Sequence, residues 1–349
     1  MSDTELGRWA LSKGYRPRAP FTDVELAKIR GLRGYYLVGV DDGSCYIGIS
    51  TNDVSARLRS HRREKFGGHA VSFWVMESDV TDLRPGEKKL VESAEASGLL
   101  VHNIEWASQI TGPSSLDVVV NVKTQKQWRA APKIVNHKHR NSALPDFSPS
   151  KLVAYQAKFD ALMARPDADR LVAVLAQYLN ETICCPRETE STFWTVSCTP
   201  IQGSGRIFCV SAAMMELFTV REHADGTIGA FFSVRPKFVA RTRTKRVMKY
   251  AKLRVSAWDH GYKDGAGEQA QIHVKGLDRL ERILLNSDVL NGAAQFNLDI
   301  MRRRKSGYRA SHCRQLAEAA LDRRRLPLRV GHLTVPASST TSKPWPTRT

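Results

Sequence analysis

The sequence predicts an α/β module at the N-terminus, with a small antiparallel sheet flanked by helices, followed by an α+β C-terminal domain. Three observations lead to this prediction. A length of 349 residues suggests at least two domains. Short apolar strand patterns and helical patterns alternate between residues 33 and 107. Between residues 190 and 275, β-like runs follow one another across turn residues, with helical patterns on either side.

The N-terminal elements follow from capping and turn signals. Thr22 or Asp23 suits the start of one helix, and Asn52 or Asp53 suits the start of another. Asp42-Gly43 is a hairpin signal between two strands. The expected elements are a helix over 21–30, strands over 35–40 and 45–49, a helix over 54–65, a strand over 71–76 and a helix over 85–97. We place the module at residues 1–107.

The rest of the chain divides by composition. Residues 108–150 have weak periodicity and include the run His137-Lys138-His139-Arg140, so we interpret them as a basic linker or arm that contains one strand over 118–122. Residues 151–330 are expected to form a basic α+β domain, and the Ser/Thr/Pro-rich residues 331–349 a disordered tail. The α+β domain is expected to begin with helices over 151–164 and 167–179. Strands are then expected over 193–198, 206–211, 216–220, 227–234, 253–258 and 271–274. Helices over 277–321, interrupted near Gly292 and Gly307, complete the domain.

Composition excludes several classes of protein. No apolar run reaches the roughly 18 residues of a membrane span, and the polar first residues do not match a secretory signal. We therefore expect a cytoplasmic protein without a membrane partner. The six cysteines include no Cys-x-x-Cys pair, which argues against a zinc finger or ribbon. Four of them lie between residues 184 and 209, where a metal site competes with plain burial of Cys198 and Cys209 in strands.

The positive charge is concentrated behind the N-terminal module. The net charge is +18, yet residues 1–106 hold 15 basic and 15 acidic residues. The remaining 38 basic and 20 acidic residues all follow. Such an excess favours a polyanionic partner, most often nucleic acid, over a surface that is merely solvated.

Two tyrosines on neighbouring strands belong to one site only in certain hairpin registers. A two-residue Asp42-Gly43 turn would place Tyr36 and Tyr46 on opposite faces. A three-residue loop, Asp42 to Ser44, would place them on the same face, together with Gly48. If both tyrosines serve one site, the longer loop is required. Otherwise they are ordinary aromatic strand residues, as Tyr35 is expected to be.

Arg57 and His61 lie four residues apart on one predicted helix and therefore project in the same direction. A guanidinium suits a phosphate because its planar fork donates two hydrogen bonds at once. A neighbouring imidazole can donate to phosphate or accept a proton. The alternative is a solvated basic face, because Arg59, Arg62 and Arg63 lie on the same helix.

Glu87 is predicted to face the core. At 100° per residue, Leu90, Val91 and Ala94 fall within about 60° of Glu87, whereas Glu92 falls roughly 140° away. A lone carboxylate on such a stripe is costly unless it is paired or binds a cation. The alternative is a favourable interaction with the helix dipole in the first turn.

In order, these residues resemble the motifs of the GIY-YIG family of DNA-cutting enzymes. Gly34-Tyr35-Tyr36 stands where the family has Gly-Ile-Tyr, and Tyr46-Ile47-Gly48 matches the second motif. The resemblance spans residues 33–107 and implies that Tyr36 and Tyr46 position or deprotonate the attacking water and that Arg57 clamps the phosphate. It further implies that His61 assists as base or donor, that Glu87 binds Mg²⁺ or Mn²⁺, and that Asn103 braces the site. If Glu92 is the true counterpart of the family's glutamate, the metal ligand moves there.

The sequence therefore predicts a divalent-metal-dependent DNA endonuclease whose DNA affinity comes mainly from the C-terminal region. One rival is a DNA- or RNA-binding protein with a catalytically silent module, and another is an RNA-processing nuclease. Basic residues in two clusters are the candidates for contact with the phosphate backbone: Arg241, Arg243, Lys245, Arg246, Lys249, Arg302, Arg303 and Arg304.

Overall fold

A computed structural model provides the structure of the chain. It describes residues 3–64, 66, 68–103, 106–107, 112–145, 149–198, 205–239, 254–257 and 269–323. Within these residues the chain contains two antiparallel sheets, each with its own helices. No helix in this part of the chain combines the length and the apolarity that crossing a bilayer requires.

The first sheet and its helices are built from residues before 107. All the elements predicted there are confirmed, and a first helix and a two-residue strand precede them. In chain order they are α1 Asp3–Ser12, β1 Ala19–Pro20, α2 Asp23–Lys28, β2 Gly34–Val40, β3 Cys45–Ser50, α3 Val54–Glu64, β4 Ala70–Glu77 and α4 Arg84–Ala96. The Thr22 hydroxyl caps α2 by accepting from the Glu25 N–H, and the Asp53 carboxylate accepts from Ser55 N–H at the start of α3.

The strand order of this sheet is β1-β4-β2-β3, and its two faces carry separate hydrophobic cores. Because side chains alternate along a strand, Tyr35 and Tyr36 enter different cores. Tyr35 packs with buried residues of α1 and α4. Tyr36 packs with buried residues of α2 and α3. We call the second surface the site face, because it carries Tyr36, Tyr46 and Gly48.

The second sheet has six antiparallel strands in the order β5-β6-β7-β8-β10-β9. All six strands predicted for this region are confirmed: β5 Trp194–Cys198, β6 Arg206–Ala212, β7 Met215–Glu222, β8 Ile228–Val234, β9 Arg254–Ala257 and β10 Ala270–Lys275. The accompanying helices are α5 Val122–Ala130, α6 Pro132–Lys138, α7 Pro149–Met163, α8 Ala168–Thr182, α9 Pro186–Thr189, α10 Pro236–Val239, α11 Leu277–Ile283, α12 Ser287–Arg303 and α13 Arg314–Leu321. Both cysteines expected in strands, Cys198 and Cys209, are buried there.

The segment interpreted as a basic linker differs from that expectation. Its predicted strand over 118–122 is instead the end of a short 3₁₀ helix, Ser115–Val118, and the start of α5. Trp128 of α5 is fully buried and Val135 of α6 is nearly so, and both belong to the second core. Arg129 of α5 is partly buried against Gln295 and Asp299, whereas the other basic residues of these two helices are exposed. Their density concealed the helical spacing of the few apolar residues that face the core.

Two further differences concern glycines and the chain end. Gly292 does not interrupt the helical region, since it lies inside α12. A Cβ at this position would lie 3.0 Å from the Phe238 side chain, so the glycine permits close packing. Gly307 does fall between α12 and the next helical turn. The predicted disordered tail lies outside the described residues.

Candidate functional site

The β2–β3 hairpin brings Tyr36 and Tyr46 to the same face. Tyr36 pairs with Gly48 and Tyr46 with Val38. The Val40 N–H donates to the Ser44 carbonyl at 2.9 Å, which closes a three-residue loop over 41–43. The longer loop that a shared site requires is therefore present, but one residue earlier than expected. Gly43, with φ of 80°, takes the left-handed position that such loops need.

Three rings form the centre of the cluster on the site face. The centroid of Tyr36 lies 6.1 Å from that of Tyr46 and 5.8 Å from the His61 ring. Tyr46 and His61 are 5.4 Å apart. Phe66 closes one side, at 5.8 Å from Tyr46. The two tyrosines and the histidine that the sequence singled out are thus neighbours in space.

Gly48 makes room for the hydroxyl of Tyr36. A Cβ at position 48 would lie 2.4 Å from both Cζ and Oη of Tyr36. Real Cβ atoms do not approach other atoms so closely, so a larger residue here would displace the ring. Gly48 lies on the shared face, as predicted for the longer loop, and the space beside it is filled by the Tyr36 ring.

Arg57 connects the ring cluster to the exposed surface. It lies on α3, one turn before His61, and its side chain is exposed. Its guanidinium lies near the Tyr36 hydroxyl, where its positive charge favours the phenolate. The pKa of Tyr36 is nevertheless raised above its ordinary value, mainly because burial disfavours the phenolate, while Arg57 acts in the opposite direction. Tyr36 is therefore a neutral phenol at physiological pH, able to donate a hydrogen bond.

Glu87 occupies the first turn of α4 and is buried, with 9% of its surface exposed. It lies on the same stripe as Leu90, Val91 and Ala94, as its spacing predicted. Its Oε2 accepts a hydrogen bond of 3.1 Å from Nε1 of Trp106. Glu92, the alternative metal ligand, is exposed and lies 3.8 Å from Lys88. Because Glu92 is exposed, the buried Glu87 is the better candidate for the metal ligand.

The carboxylate of Glu87 lies within electrostatic reach of tyrosines on both faces of the sheet. Its charge contributes to raising the pKa of Tyr36 on the site face and of Tyr15 on the opposite face, although burial is the main cause for both. Tyr35 also reaches this helix turn. A Cβ at Gly86 would lie 2.0 Å from the Tyr35 hydroxyl oxygen, so the residue before Glu87 must be small.

Asn103 braces the strand that carries Tyr46. Its Oδ1 accepts from the Ile47 N–H at 2.9 Å, and its Nδ2 donates to the Ile47 carbonyl at 2.6 Å. This continues a backbone pairing in which Cys45 exchanges hydrogen bonds with Leu100 and His102. The buried amide thus holds the outer edge of β3 in place. Arg57 and Glu87, the remaining residues that the sequence proposed, both influence the pKa of Tyr36. The apolar stripe on which Glu87 lies, however, packs in the core of the opposite sheet face.

The chemistry available to this cluster includes a phenol, an imidazole, an exposed guanidinium and a shielded carboxylate. A carboxylate oxygen suits hard cations such as Mg²⁺ and Mn²⁺, which keep several water ligands and often use one or two carboxylates. The donor set fits such an ion at Glu87. Sequence reasoning missed Trp106, which donates a hydrogen bond to Glu87. A tryptophan 19 residues after the glutamate carries no spacing signal that would have marked it.

The C-terminal basic residues predicted to contact phosphate differ in their exposure. Arg302 and Arg303 are buried, at 5% and 7% exposure. Arg302 donates to Asp117 at 2.7 Å and to the Gly112 carbonyl at 2.6 Å, and Arg303 donates to the Ala107 carbonyl at 2.5 Å. This engagement does not fit contact with a phosphate backbone, so we leave both out of the proposed interface. Arg304 is exposed. The remaining candidates, Arg241, Arg243, Lys245, Arg246 and Lys249, lie outside the described residues.

The site is therefore a two-faced arrangement around the β2–β3 hairpin, with the ring cluster on one face and Glu87 within electrostatic reach of it. Its outer edge is set by the Asn103 amide. In comparisons with known proteins, no family model, no curated protein and no solved structure matches the chain.

Proposed function

We propose that residues 3–107 form the catalytic part of a divalent-metal-dependent endonuclease that hydrolyses phosphodiester bonds in DNA. The observation that carries the proposal is the convergence of the Tyr36, Tyr46 and His61 rings, with the charges of Arg57 and Glu87 both acting on Tyr36. Phosphodiester hydrolysis needs an aimed water, a neutralised phosphate and a stabilised leaving oxygen. These residue types meet those needs.

The roles follow from exposure and protonation. Arg57, the exposed cation at the site, binds the phosphate through its planar fork. Tyr36, held neutral by burial, orients rather than deprotonates the water or the phosphate. Tyr46 is half-buried and completes the orienting pair. His61 accepts the proton of the water as the oxygen attacks phosphorus.

Glu87 is the residue that would hold the cation. When bound, Mg²⁺ or Mn²⁺ supplies charge stabilisation at the phosphate and the leaving oxygen. Trp106 fixes one carboxylate oxygen through its hydrogen bond, which orients the group. Burial limits competition from bulk water for the same oxygens.

The affinity for DNA is assigned to the basic residues after 107. The neutral charge balance of residues 1–106 supports this division, because a module without net charge attracts a polyanion weakly. Arg241, Arg243, Lys245, Arg246 and Lys249 are the leading candidates. Replacing these five by glutamine should weaken DNA binding and reduce its salt dependence, whereas an unchanged salt slope would place the binding surface elsewhere.

A plasmid assay tests the proposal. Supercoiled DNA incubated with the full chain and Mg²⁺ should be relaxed or linearised, and chelation of the cation should stop the reaction. Retained binding without cleavage would favour the silent-module alternative. Competition between duplex DNA and structured RNA distinguishes a DNA enzyme from one that acts on RNA.

A further inference from the structure

A second cluster with metal-binding chemistry lies in the other part of the molecule, far from Glu87 in sequence. His139, Cys185 and Glu188 each offer one ligand atom, and these three atoms all lie within 4.8 Å of one another. His139 follows α6, Cys185 precedes α9 and Glu188 lies within α9. Cys185 is buried, whereas His139 and Glu188 are partly exposed. The thiol is thus shielded from solvent, while the imidazole and the carboxylate remain accessible to an ion from solution.

The donor set indicates which ion would bind. A thiolate, an imidazole and a carboxylate are ligands of Zn²⁺, whereas Mg²⁺ and Ca²⁺ prefer oxygen donors alone. Around a tetrahedral zinc ion, bond lengths of about 2.0–2.3 Å place ligand atoms roughly 3.4–3.7 Å apart. The three candidate ligand atoms are separated by no more than 4.8 Å. His139 Nδ1 and Glu188 Oε1 lie 2.7 Å apart and need to separate by roughly 1 Å to admit the ion.

The backbone around Cys185 is constrained. Cys185 has φ of 47°, in the left-handed region that a side chain rarely adopts. Its N–H donates to Oδ1 of Asn136 at 2.9 Å. Its carbonyl accepts from the Glu188 N–H at 3.1 Å. Such strain persists only where surrounding contacts fix it, and it concentrates at functional sites.

The other two ligands are also positioned. The Ser142 hydroxyl donates to Glu188 Oε1 at 2.6 Å. The Ser142 N–H donates to the His139 carbonyl at 3.1 Å, which ties the turn after α6 to the ligand pair. Partners of this kind orient the first ligands of a metal and strengthen its binding.

A cavity of about 640 Å³ is lined by residues that neighbour the three ligands in the chain, but not by the ligands themselves. Its lining includes Asn136, which holds Cys185, and Arg187, which precedes Glu188. His137 and Arg140, on either side of the His139 ligand, line it as well. The basic lining of this cavity would attract anions to this part of the molecule, and water or an anion suits the fourth position of an ion held by three protein ligands.

We propose that His139, Cys185 and Glu188 bind a Zn²⁺ ion, with a fourth position left for water or an anionic group. This site is separate from the cation at Glu87 and differs from it in donor chemistry. The basic run that contains His139 is thereby given a role beyond general affinity for polyanions.

The test measures bound metal in the full chain. Protein prepared with Zn²⁺ is analysed for metal content after extensive dialysis, alongside the variants His139→Gln, Cys185→Ser and Glu188→Gln. Cys209→Ser, a buried cysteine of β6 outside the cluster, is the matched control. We expect one equivalent of zinc in the wild type and in Cys209→Ser. We expect at least a tenfold loss of affinity in each of the three ligand variants, because second-shell changes alone cost 10–100-fold.

Binding of Co²⁺ is measured on the wild-type protein, so this second test does not require any variant to fold. Adding Co²⁺ to the metal-free wild type should produce the thiolate-to-cobalt charge-transfer absorption and the intense visible bands of a tetrahedral ion. Absence of these bands, or a zinc content well below one equivalent after saturation, would overturn the proposal. Equal zinc retention by folded Cys185→Ser and wild type would do the same. Glu87→Gln should keep its zinc, so this result does not depend on nuclease activity.

Discussion

Gly48 faces Tyr36 directly across the β2–β3 pair, and a Cβ at position 48 would lie 2.4 Å from the tyrosine hydroxyl oxygen. The glycine is thus needed for space, since its own φ lies outside the left-handed region. The position of the Tyr36 hydroxyl, and with it the distance from that hydroxyl to the Arg57 guanidinium, depends on a residue without a side chain.

Gly48→Ala should therefore displace the Tyr36 ring. We expect a loss of about 1–3 kcal/mol in the free energy of unfolding, as for other overpacked cores, and a marked fall in the cleavage rate. Urea denaturation and the plasmid assay measure the two effects. Gly7→Ala is the control, because Gly7 lies in α1 and a Cβ there meets nothing within 4 Å. That change should stabilise the helix by up to about 1 kcal/mol. Wild-type behaviour of Gly48→Ala would contradict the steric argument.

Arg57→Ala should slow cleavage on the order of 10²–10³-fold while leaving the fold intact, because it removes one preorganised donor from an exposed position. Arg57→Lys should rescue little, since an ammonium lacks the planar fork. The matched control is Arg63→Ala, an exposed arginine on the same helix. Single-turnover rates measure the effect. Equal losses for Arg57→Ala and Arg63→Ala would indicate that α3 contributes only general positive charge.

Asn103→Ala should destabilise the N-terminal sheet by about 1–3 kcal/mol, because the Ile47 N–H and carbonyl lose their buried partner. The reduced order of β3 should lower activity as well. Chemical denaturation followed by circular dichroism gives the change. Asn52→Ala, an exposed asparagine, should stay within about 0.5 kcal/mol of the wild type. A stability change no larger than that of the control would rule out the bracing role.

The pKa of His69, which lies beside Asp41 of the hairpin loop, gives a prediction about pH dependence. Its Nδ1 lies 2.8 Å from Asp41, and this hydrogen bond, with the charge of Asp41, raises the pKa of His69 above its ordinary value. A raised histidine pKa stabilises the fold below about pH 6.5, and this contribution is lost as the pH rises through the folded value. NMR titration of the ring should give a midpoint above 6.5, which Asp41→Asn lowers. Asp42→Asn should have a smaller effect, and an unshifted wild-type midpoint would contradict the pairing.

Much of the candidate site could be predicted from the sequence because its signals are local. The 3.6-residue period placed Glu87 among apolar residues, and that stripe is buried as expected. Strand alternation required an odd loop length for Tyr36 and Tyr46 to share a face. The loop has three residues, although its start was misplaced by one. Strand alternation determines whether the loop has an odd or an even number of residues. The residue at which the loop starts depends instead on which position takes the left-handed conformation.

What could not be predicted depends on contacts between distant segments. Arg302 meets Asp117 across 185 positions, and no local pattern marks it as buried. Trp106 reaches Glu87 from outside the helix that carries the glutamate. The helices α5 and α6 were concealed because basic residues outnumber the apolar ones that face the core, Trp128 and Val135. Tertiary packing in each case overrides the composition of the segment.

The most direct test compares Glu87→Gln with Glu92→Gln in the metal-dependent plasmid assay. Both residues lie on α4, but one is buried at the site and the other is exposed. We expect Glu87→Gln to abolish cleavage while DNA affinity stays within about twofold of the wild type, because most binding is electrostatic, and Glu92→Gln to cut normally. Full activity of Glu87→Gln, or loss of activity only in Glu92→Gln, would contradict the proposed catalytic site.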